Sequence, residues 1–175
     1  IMPNYQGVWS LSTQYQNRTG WPSPPPVAIM AGGRDSGGRS NIIDFLIVST
    51  AANATDFGDL TTVRDGVASM SSSTRGVIAG GYNGSANDNV IQFVTFATTG
   101  NATDFGDLTD TFAQGAAASN STRGVYGGGF KGGSTTNVME YITIASAGNA
   151  QDFGDLTQAR SRSGAGSNTT RIVFA

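Results

Sequence analysis

The stretch Asn53-Ala54-Thr55-Asp56-Phe57-Gly58-Asp59-Leu60-Thr61 decides how this chain folds. It recurs unchanged as residues 101–109 and, with Gln151 in place of a threonine, as residues 149–157. The copies follow one another at a constant spacing of 48 residues, without insertion or deletion. A fixed period of this length is the signature of a repeat architecture, so the rest of the chain is interpreted as copies of one unit.

Composition favours strands over helices. The 175 residues include 25 glycines, and charged residues make up only 13% of the chain. Serine, threonine and asparagine are abundant, while lysine occurs once, at Lys131. Residues of these types disfavour helices and favour short strands that are joined by turns.

The same composition argues against several classes of function. The net charge is −2 and the ten basic residues are scattered, which gives no electrostatic footprint for nucleic acid or for an anionic membrane. Cysteine and histidine are absent, so disulfides, thiol chemistry and most transition-metal sites are unavailable. No apolar run reaches the ~20 residues of a membrane-spanning helix, and no signal-peptide pattern opens the sequence. We expect a soluble protein without cofactors.

Residues 1–26 stand outside the repeat. Residues 5–15 are rich in aromatics and partly alternating, which predicts one strand or two short ones. Trp21-Pro22-Ser23-Pro24-Pro25-Pro26 excludes both a helix and a central strand, so it predicts a stiff, extended connector. The predicted division is therefore an N-terminal aromatic anchor with its connector, residues 1–26, and a repeat region, residues 27–175. Trp9, Tyr15 and Trp21 are the candidate contacts of the anchor.

Each unit contains four segments that predict β-strands. The first is apolar and ends in a glycine pair, which permits positive φ or close backbone approach. The second is rich in β-branched and aromatic residues, the third carries Asp-Phe-Gly-Asp-Leu-Thr, and the fourth has small residues that suit a crowded position. These segments are residues 29–33, 77–81, 125–129 and 173–175, then 41–48, 89–96 and 137–144, then the repeated stretch, and finally 66–71, 115–120 and 164–167. Four short strands per unit is the content of one propeller blade, so the predicted fold class is all-β.

The pattern over residues 27–175 resembles the kelch repeat. It joins an apolar strand, a double glycine, a variable loop, an aromatic in the next strand, an aromatic in the last strand and an arginine soon after. The aromatics are Phe45, Phe93 and Tyr141, then Phe57, Phe105 and Phe153, and the arginines are Arg64 and Arg160. The last-strand aromatic is Phe where kelch repeats usually have Trp, and Phe112 stands where the second copy should have Arg. The resemblance implies kelch-like β-propeller blades, but it does not identify a partner.

A narrower resemblance involves the segment Gly7-Val8-Trp9-Ser10-Leu11-Ser12-Thr13-Gln14-Tyr15-Gln16, the Trp-Pro connector and the near-identical repeats. Together they are similar to kelch-like repeat proteins encoded by phages of marine bacteria, which are virion components of the tail, fibre or capsid surface. The resemblance implies localisation in the virion and a structural or host-contacting role without catalysis.

The carboxylates of the repeat invite three other interpretations. Asp-Phe-Gly occurs in protein kinases, yet no glycine-rich phosphate loop, partner lysine or catalytic-loop motif accompanies it here. Asn53, Asp56 and Asp59 offer oxygen ligands for calcium, but their spacing differs from that of a calcium loop, and turn formation explains them as well. A pair of carboxylates could also hydrolyse glycosides, although three equivalent copies do not make the one special constellation that catalysis needs.

Arginines stand at one position of the repeat, just before the first strand of each unit: Arg75, Arg123 and Arg171. One hypothesis is a ring of positive charge around a channel. The other, which we favour, is that each arginine binds a repeat aspartate or backbone carbonyls between neighbouring blades.

The loops after the glycine pairs vary in sequence where the rest of the repeat is strict. Loops on a rigid scaffold are where binding usually occurs, although neutral drift of solvated tips would give the same pattern. All three loops should emerge on one face. The candidate partner-binding residues are Arg34, Asp35, Arg39, Asn83, Asp88 and Lys131.

Propellers typically have at least four blades, whereas the sequence supplies three and a fraction. We therefore expect a partner at both ends, through continuation of the chain or through oligomerisation, because an isolated arc exposes apolar faces and strand edges. The first functional hypothesis is a non-enzymatic bacteriophage virion protein that contacts other virion proteins, copies of itself and the host surface. The second is a carbohydrate-binding or glycan-degrading propeller on a bacterial surface.

Overall fold

The computed structural model describes residues 26–175, and the three aromatic residues proposed as anchors lie outside them. Within this range there is no helix and there are 17 β-strands. Their bounds are β1 (Val27–Ala31), β2 (Arg34–Asp35), β3 (Gly38–Arg39), β4 (Ile42–Ile47), β5 (Thr55–Asp59), β6 (Ala68–Ser71), β7 (Arg75–Ala79), β8 (Asp88–Thr95), β9 (Thr103–Phe112), β10 (Ala116–Ser119), β11 (Arg123–Gly127), β12 (Phe130–Lys131), β13 (Ser134–Thr135), β14 (Val138–Thr143), β15 (Gln151–Asp155), β16 (Ala165–Ser167) and β17 (Ile172–Phe174). The all-β prediction is confirmed.

The strands form several small antiparallel sheets, one for each repeat unit. Unit 2 is the four-stranded sheet β6-β7-β8-β9, and unit 3 is the four-stranded sheet β10-β11-β14-β15. Unit 1 is the three-stranded sheet β1-β4-β5, and unit 4 is the pair β16-β17. The register also repeats, since Ile29 pairs with Phe45, Val77 with Phe93 and Val125 with Tyr141. Units 2 and 3 thus have four strands each, as predicted, but their order differs: the strand of small residues, which the sequence analysis placed last in its unit, pairs with the first strand of the following copy and so begins the next sheet.

Apolar residues of the two central strands and the repeated stretch make the core. One cluster centres on unit 2 and unit 3, and includes Val77, Ile91, Phe105 and Ile144. A second lies around unit 1 and includes Ile43 and further buried residues. Within each unit the aromatics of the second and third predicted strands meet edge to face, with ring centroids 5.7 to 5.9 Å apart, as the pairs Phe45–Phe57, Phe93–Phe105 and Tyr141–Phe153. This geometry stabilises each sheet beyond the area that it buries.

The glycine pair that ends the first strand of each unit needs its glycines. Gly80 and Gly81 have φ of 64° and 105°, and the pairs 32–33 and 128–129 have nearly the same values. A Cβ at Gly80 would also lie 2.6 Å from the carbonyl oxygen of Phe112. The prediction that these glycines provide positive φ and close backbone approach is confirmed.

The strands of small residues lie side by side from unit to unit. β6 contacts β10, and β10 contacts β16. The Ser119 hydroxyl donates to the Ser71 carbonyl at 2.7 Å, and the Ser167 hydroxyl donates to the Ser119 carbonyl at 2.7 Å. Each of these strands thus bonds directly, through its serine, to the same strand of the neighbouring unit.

Two details of the chain were not predicted. The variable loops after Gly33 and Gly129 fold into small hairpins, β2-β3 and β12-β13. β9 continues past the repeated stretch to Phe112, which makes it 10 residues long. The first difference arises because two-residue ladders leave almost no periodicity to detect in a sequence.

Candidate functional site

The repeated stretch joins one unit to the next, at a contact that we call joint 1 between units 1 and 2. The backbone N–H of Gly100 donates to the Phe57 carbonyl, and that of Ala102 donates to the Asp59 carbonyl, each at 2.8 Å. The Asn101 side-chain oxygen accepts the N–H of Asp59 at 3.1 Å. The start of the stretch in unit 2 therefore binds the third strand of unit 1.

Joint 2, between units 2 and 3, repeats these bonds. Gly148 N–H donates to Phe105 O at 2.7 Å, and Ala150 N–H donates to Asp107 O at 2.8 Å. The Asn149 side-chain oxygen accepts the N–H of Asp107 at 3.1 Å. The asparagine of the motif is thus a connector between units, and the conspicuous sequence identity is explained by this shared geometry.

The first aspartate of the motif has a local role. The Asp56 carboxylate accepts the N–H of Gly58 at 3.2 Å, and the Asp152 carboxylate accepts that of Gly154 at the same distance. The side chain therefore forms a turn, which is the role that the sequence analysis gave as the alternative to calcium binding. Among residues 26–175, no group of three or more His, Cys, Asp or Glu side chains is placed to hold a metal ion.

An ion pair is buried in joint 1. Arg64, only 1% exposed, donates to the Gly80 carbonyl at 3.1 Å and to the Thr62 hydroxyl at 2.6 Å. Its guanidinium also lies 3.2 Å from the Asp88 carboxylate. Burial lowers the pKa of Arg64, and the charge of Asp88 opposes that shift. The carboxylate of Asp88, a candidate partner-binding residue, is therefore engaged inside the protein.

Joint 2 has an aromatic pair at the corresponding position. Phe112 replaces the arginine, and its ring centroid lies 5.7 Å from that of Tyr126. Both side chains are buried, at 1% and 2% exposure. Thr136 occupies the place of Asp88 in the repeat. Because the phenol is enclosed, burial raises the pKa of Tyr126.

A second buried polar position also differs between the joints. In joint 1 the Gln92 side-chain oxygen accepts the N–H of Thr61 at 2.9 Å. In joint 2 the equivalent residue is Glu140, whose carboxylate accepts the N–H of Thr109 at 3.1 Å and also bonds to the Thr109 hydroxyl. Burial raises the pKa of Glu140, and the nearby carboxylates Asp110 and Asp152 raise it further, while the bonds from Thr109 oppose the shift.

In unit 2, the repeated arginine binds backbone carbonyls of the neighbouring unit, which is the role that the sequence analysis favoured. Arg75 donates to the carbonyls of Ile144 and Ala145, in unit 3, at 3.1 and 2.9 Å. Its guanidinium also lies 4.7 Å from the centre of the Phe93 ring. The prediction of carbonyl binding between neighbouring units is confirmed for this residue. Arg123 and Arg171, its counterparts, are exposed.

The variable loops lie along one edge, in contact with one another. Arg39 of the first loop lies 4.5 Å above the Tyr82 ring, and its Nε is 3.4 Å from the Asp65 carboxylate. Further along, the Asn87 side chain donates to the Phe130 carbonyl at 2.9 Å. The expectation that the three loops emerge on one face agrees with these contacts.

The remaining candidate residues also have partners within the protein, in their own loops or in neighbouring segments. The Asp35 carboxylate accepts the N–H groups of Gly37 and Gly38, and the Asn83 side-chain oxygen accepts those of Ser85 and Ala86. Lys131 pairs with Asp110 at 2.6 Å, and this contact lowers the pKa of Asp110. Arg34 lies 3.7 Å from Asp65 with its side chain 64% exposed. Arg34 is therefore more exposed than Lys131, whose side chain is 46% exposed.

No family model and no curated protein sequence matches this chain. Among residues 26–175, no helix could span a membrane.

Proposed function

We propose that this chain is a non-enzymatic structural protein of a bacteriophage virion, which presents kelch-like β-propeller blades for assembly or for contact with the host surface. The observation that carries the proposal is the use of the repeated motif. Its asparagine and backbone join consecutive units, and its first aspartate forms a turn. The asparagine and the first aspartate of the motif, which the sequence offered as calcium ligands or catalytic groups, therefore have structural roles.

The joints suit a rigid module. The repeated motif gives each joint two backbone hydrogen bonds and one side-chain bond, and the serines of β6, β10 and β16 further link unit 2 to unit 3 and unit 3 to unit 4. Hydrogen bonds of this kind are worth about 1 kcal/mol each when satisfied, and their regular spacing restricts rotation of one unit against the next. A stiff support of this kind is what a surface protein needs in order to present loops in a fixed arrangement.

The edge made by the three variable loops is the proposed contact surface. It carries charged side chains of both signs, Arg34, Asp35 and Lys131 among them. The aromatic residues Trp9, Tyr15 and Trp21 would attach the module to another virion protein.

Particle incorporation tests this proposal. Phages that encode the chain without residues 1–21 should assemble particles that lack it, as measured by mass spectrometry of purified virions. A full-length copy with Arg34→Ala and Lys131→Ala serves as the control, because it should be incorporated normally and lose only host contact. Normal incorporation of the truncated chain would contradict the anchoring role, and absence of the intact chain from virions would contradict the proposal as a whole.

A second candidate is a carbohydrate-binding module, which the exposed surface of unit 3 favours. There a hollow of about 260 Å³ is lined by Arg123, Tyr141 and Gln151. Aromatic, guanidinium and amide groups together are suited to sugar rings and hydroxyls. Binding on a glycan array that is lost in Arg123→Ala would favour this function. Turnover of host envelope glycan, abolished by one carboxylate substitution, would favour an enzyme instead.

A further inference from the structure

The tip of the middle variable loop contains a residue pair that occurs once in the sequence. Asn83 is followed by Gly84, and no other asparagine of the chain precedes a glycine. Gly84 and the two residues after it are exposed, and Gly84 has φ of 109°. The pair therefore lies in contact with solvent, on the edge that the variable loops form.

The side-chain carbonyl of Asn83 is held by two donors. Its oxygen accepts the N–H of Ser85 at 2.9 Å and the N–H of Ala86 at 3.1 Å. These donors lie where negative charge would develop if a nucleophile added to the side-chain carbonyl carbon. The backbone nitrogen of Gly84 is the next nitrogen along the chain, and it donates no hydrogen bond within residues 26–175. The loop thus combines an activated amide with a nitrogen that is not engaged elsewhere in the described protein.

Two other asparagines have the same side-chain geometry but a different following residue. The Asn120 oxygen accepts the N–H groups two and three residues further on at 2.9 and 2.8 Å, and the Asn168 oxygen does the same at the same distances. Ser121 follows the first and Thr169 follows the second. A side chain beside the attacking nitrogen crowds the ring that addition would close, whereas glycine has none and has the freest backbone. The chain therefore contains two internal controls for Asn83.

The corresponding loop of unit 1 shows that an aspartate fits this turn. Asp35 stands one repeat before Asn83, and its carboxylate accepts the N–H groups two and three residues further on at 2.7 and 2.9 Å. The side chain of Arg39 lies beside the Asn83 loop, since a Cβ on Gly84 would be 3.4 Å from one of its terminal nitrogens. A carboxylate formed at position 83 would thus keep a turn that the chain already uses, next to a positive charge.

We propose that Asn83 is a site of spontaneous deamidation in the folded protein. The Gly84 nitrogen gives up its proton and adds to Cγ of Asn83, the side-chain nitrogen takes up a proton and leaves as ammonia, and a succinimide ring closes. Water then opens the ring at either carbonyl. One opening gives aspartate, and the other gives isoaspartate, in which the main chain runs through the former side chain. The net reaction consumes one water and releases one ammonia, with no change of oxidation state.

The modification gives the variable-loop edge a negative charge that accumulates as the molecule ages. Isoaspartate also lengthens the main chain of the turn by one methylene. That change displaces Gly84, whose carbonyl accepts the Tyr82 hydroxyl at 3.0 Å, and Arg39 lies over the Tyr82 ring. The reaction needs only this chain and water, so it goes beyond the virion role proposed above and stands or falls independently of it.

Peptide mapping of aged protein tests the site. The purified chain is incubated at neutral and at mildly alkaline pH, and tandem mass spectrometry measures the deamidated fraction at each asparagine against time. We expect Asn83 to deamidate at least several-fold faster than Asn120 and Asn168 in the same sample. Its rate should rise with pH, because the nucleophile is the deprotonated amide. A rate at Asn83 no greater than at the other two would overturn the proposal.

Reciprocal variants separate the effect of the glycine from that of the loop. Gly84→Ser should lower the rate at Asn83 to that of Asn120, and Ser121→Gly should raise the rate at Asn120 toward that of Asn83. Asn83→Asp mimics one product, so it should unfold at the wild-type temperature and co-elute on anion exchange with the aspartate form of the aged protein. Rapid deamidation of Asn83 in the Gly84→Ser chain, or an unchanged rate at Asn120 in the Ser121→Gly chain, would contradict attack by the following nitrogen.

Discussion

Joint 1 and joint 2 are the same in their backbone and different in their buried side chains. Both have two bonds from a Gly-Asn-Ala turn to the preceding strand and one from the asparagine. Joint 1 adds a buried ion pair, Arg64 with Asp88, whereas joint 2 adds the aromatic pair Phe112 with Tyr126. The backbone interaction fixes how units meet, and the side-chain layer above it is free to change.

The two solutions fill the same space by different physics. A buried guanidinium must recover its lost hydration from partners, and Arg64 does so with one carboxylate, one carbonyl and one hydroxyl. An aromatic pair gains directly from apolar burial and has no charge to satisfy, although the Tyr126 hydroxyl is buried without a hydrogen-bond partner among the described residues. The stability of joint 1 therefore depends on each partner of Arg64, while the stability of joint 2 depends on how well the two aromatic rings pack.

The largest effect should come from removal of the arginine in joint 1. Arg64→Ala leaves Asp88 largely enclosed without its partner, and we expect a loss of about 3–5 kcal/mol in the free energy of unfolding. Chemical denaturation measures it. The double variant Arg64→Ala with Asp88→Ala should recover part of the loss, because no uncompensated charge remains. A loss in Arg64→Ala no greater than that of an exposed arginine such as Arg171→Ala would contradict the network.

A backbone substitution should affect both joints alike. Gly58→Ala and Gly106→Ala each place a Cβ within 2.6 Å of backbone in the next unit, at positive φ. Gly154→Ala also lies at positive φ, but its Cβ would have no neighbour within 4 Å among residues 26–175. We expect the first two variants to lose about 1–3 kcal/mol more than Gly154→Ala, since overpacking adds to the shared conformational cost. Unequal losses at Gly58 and Gly106 in thermal unfolding would show that the joints differ in backbone as well.

Lower pH should affect the stability of the two joints differently, because joint 2 contains Glu140. Its pKa is raised in the folded protein by burial, so the protonated form is favoured by folding. The stability from this group is fully present below the unfolded pKa, about 4.3, and is lost as the pH rises through the raised value in the folded state. Glu140→Gln should remove this dependence, as Gln92 already does in joint 1.

The measurement is the difference in unfolding free energy between wild type and Glu140→Gln across the pH range, because Asp110 titrates with the opposite sign. The variant should be more stable than wild type at neutral pH, by on the order of 1 kcal/mol, and the advantage should shrink toward acid. Gln92→Glu is the converse control and should create the dependence in joint 1. A pH-independent difference would mean that the carboxylate stays ionised.

Much of this fold could be predicted from the period of the sequence. The four strands of each unit follow from apolar and small-residue segments, and positive φ at Gly80 and Gly81 follows from the glycine pair. The interior of the joints was harder to predict. Arg64 was visible as an arginine of the repeat, but its partner Asp88 lies in the next unit, within what the sequence marks as a variable loop.

One signal in the sequence could have located the second polar position. Asp44, Gln92 and Glu140 form a single column within a strand that is otherwise apolar and aromatic. A polar residue that persists at such a position needs a bonding partner when it is buried. The period identifies this column, but only the packing of unit on unit shows that the partner is the N–H of Thr61 or Thr109.

The smallest effect on the unfolding free energy should come from removal of the asparagine side chain that joins two units. Asn101→Ala removes the acceptor of the Asp59 N–H at joint 1, and we expect a loss of about 1 kcal/mol in unfolding free energy. Asn53 has the same place in unit 1, but among residues 26–175 no unit precedes it for its side chain to bind, so Asn53→Ala should leave the stability of this chain unchanged. Equal losses in the two variants would mean that the asparagine acts only within its own turn, and the comparison of joints would then rest on backbone bonds alone.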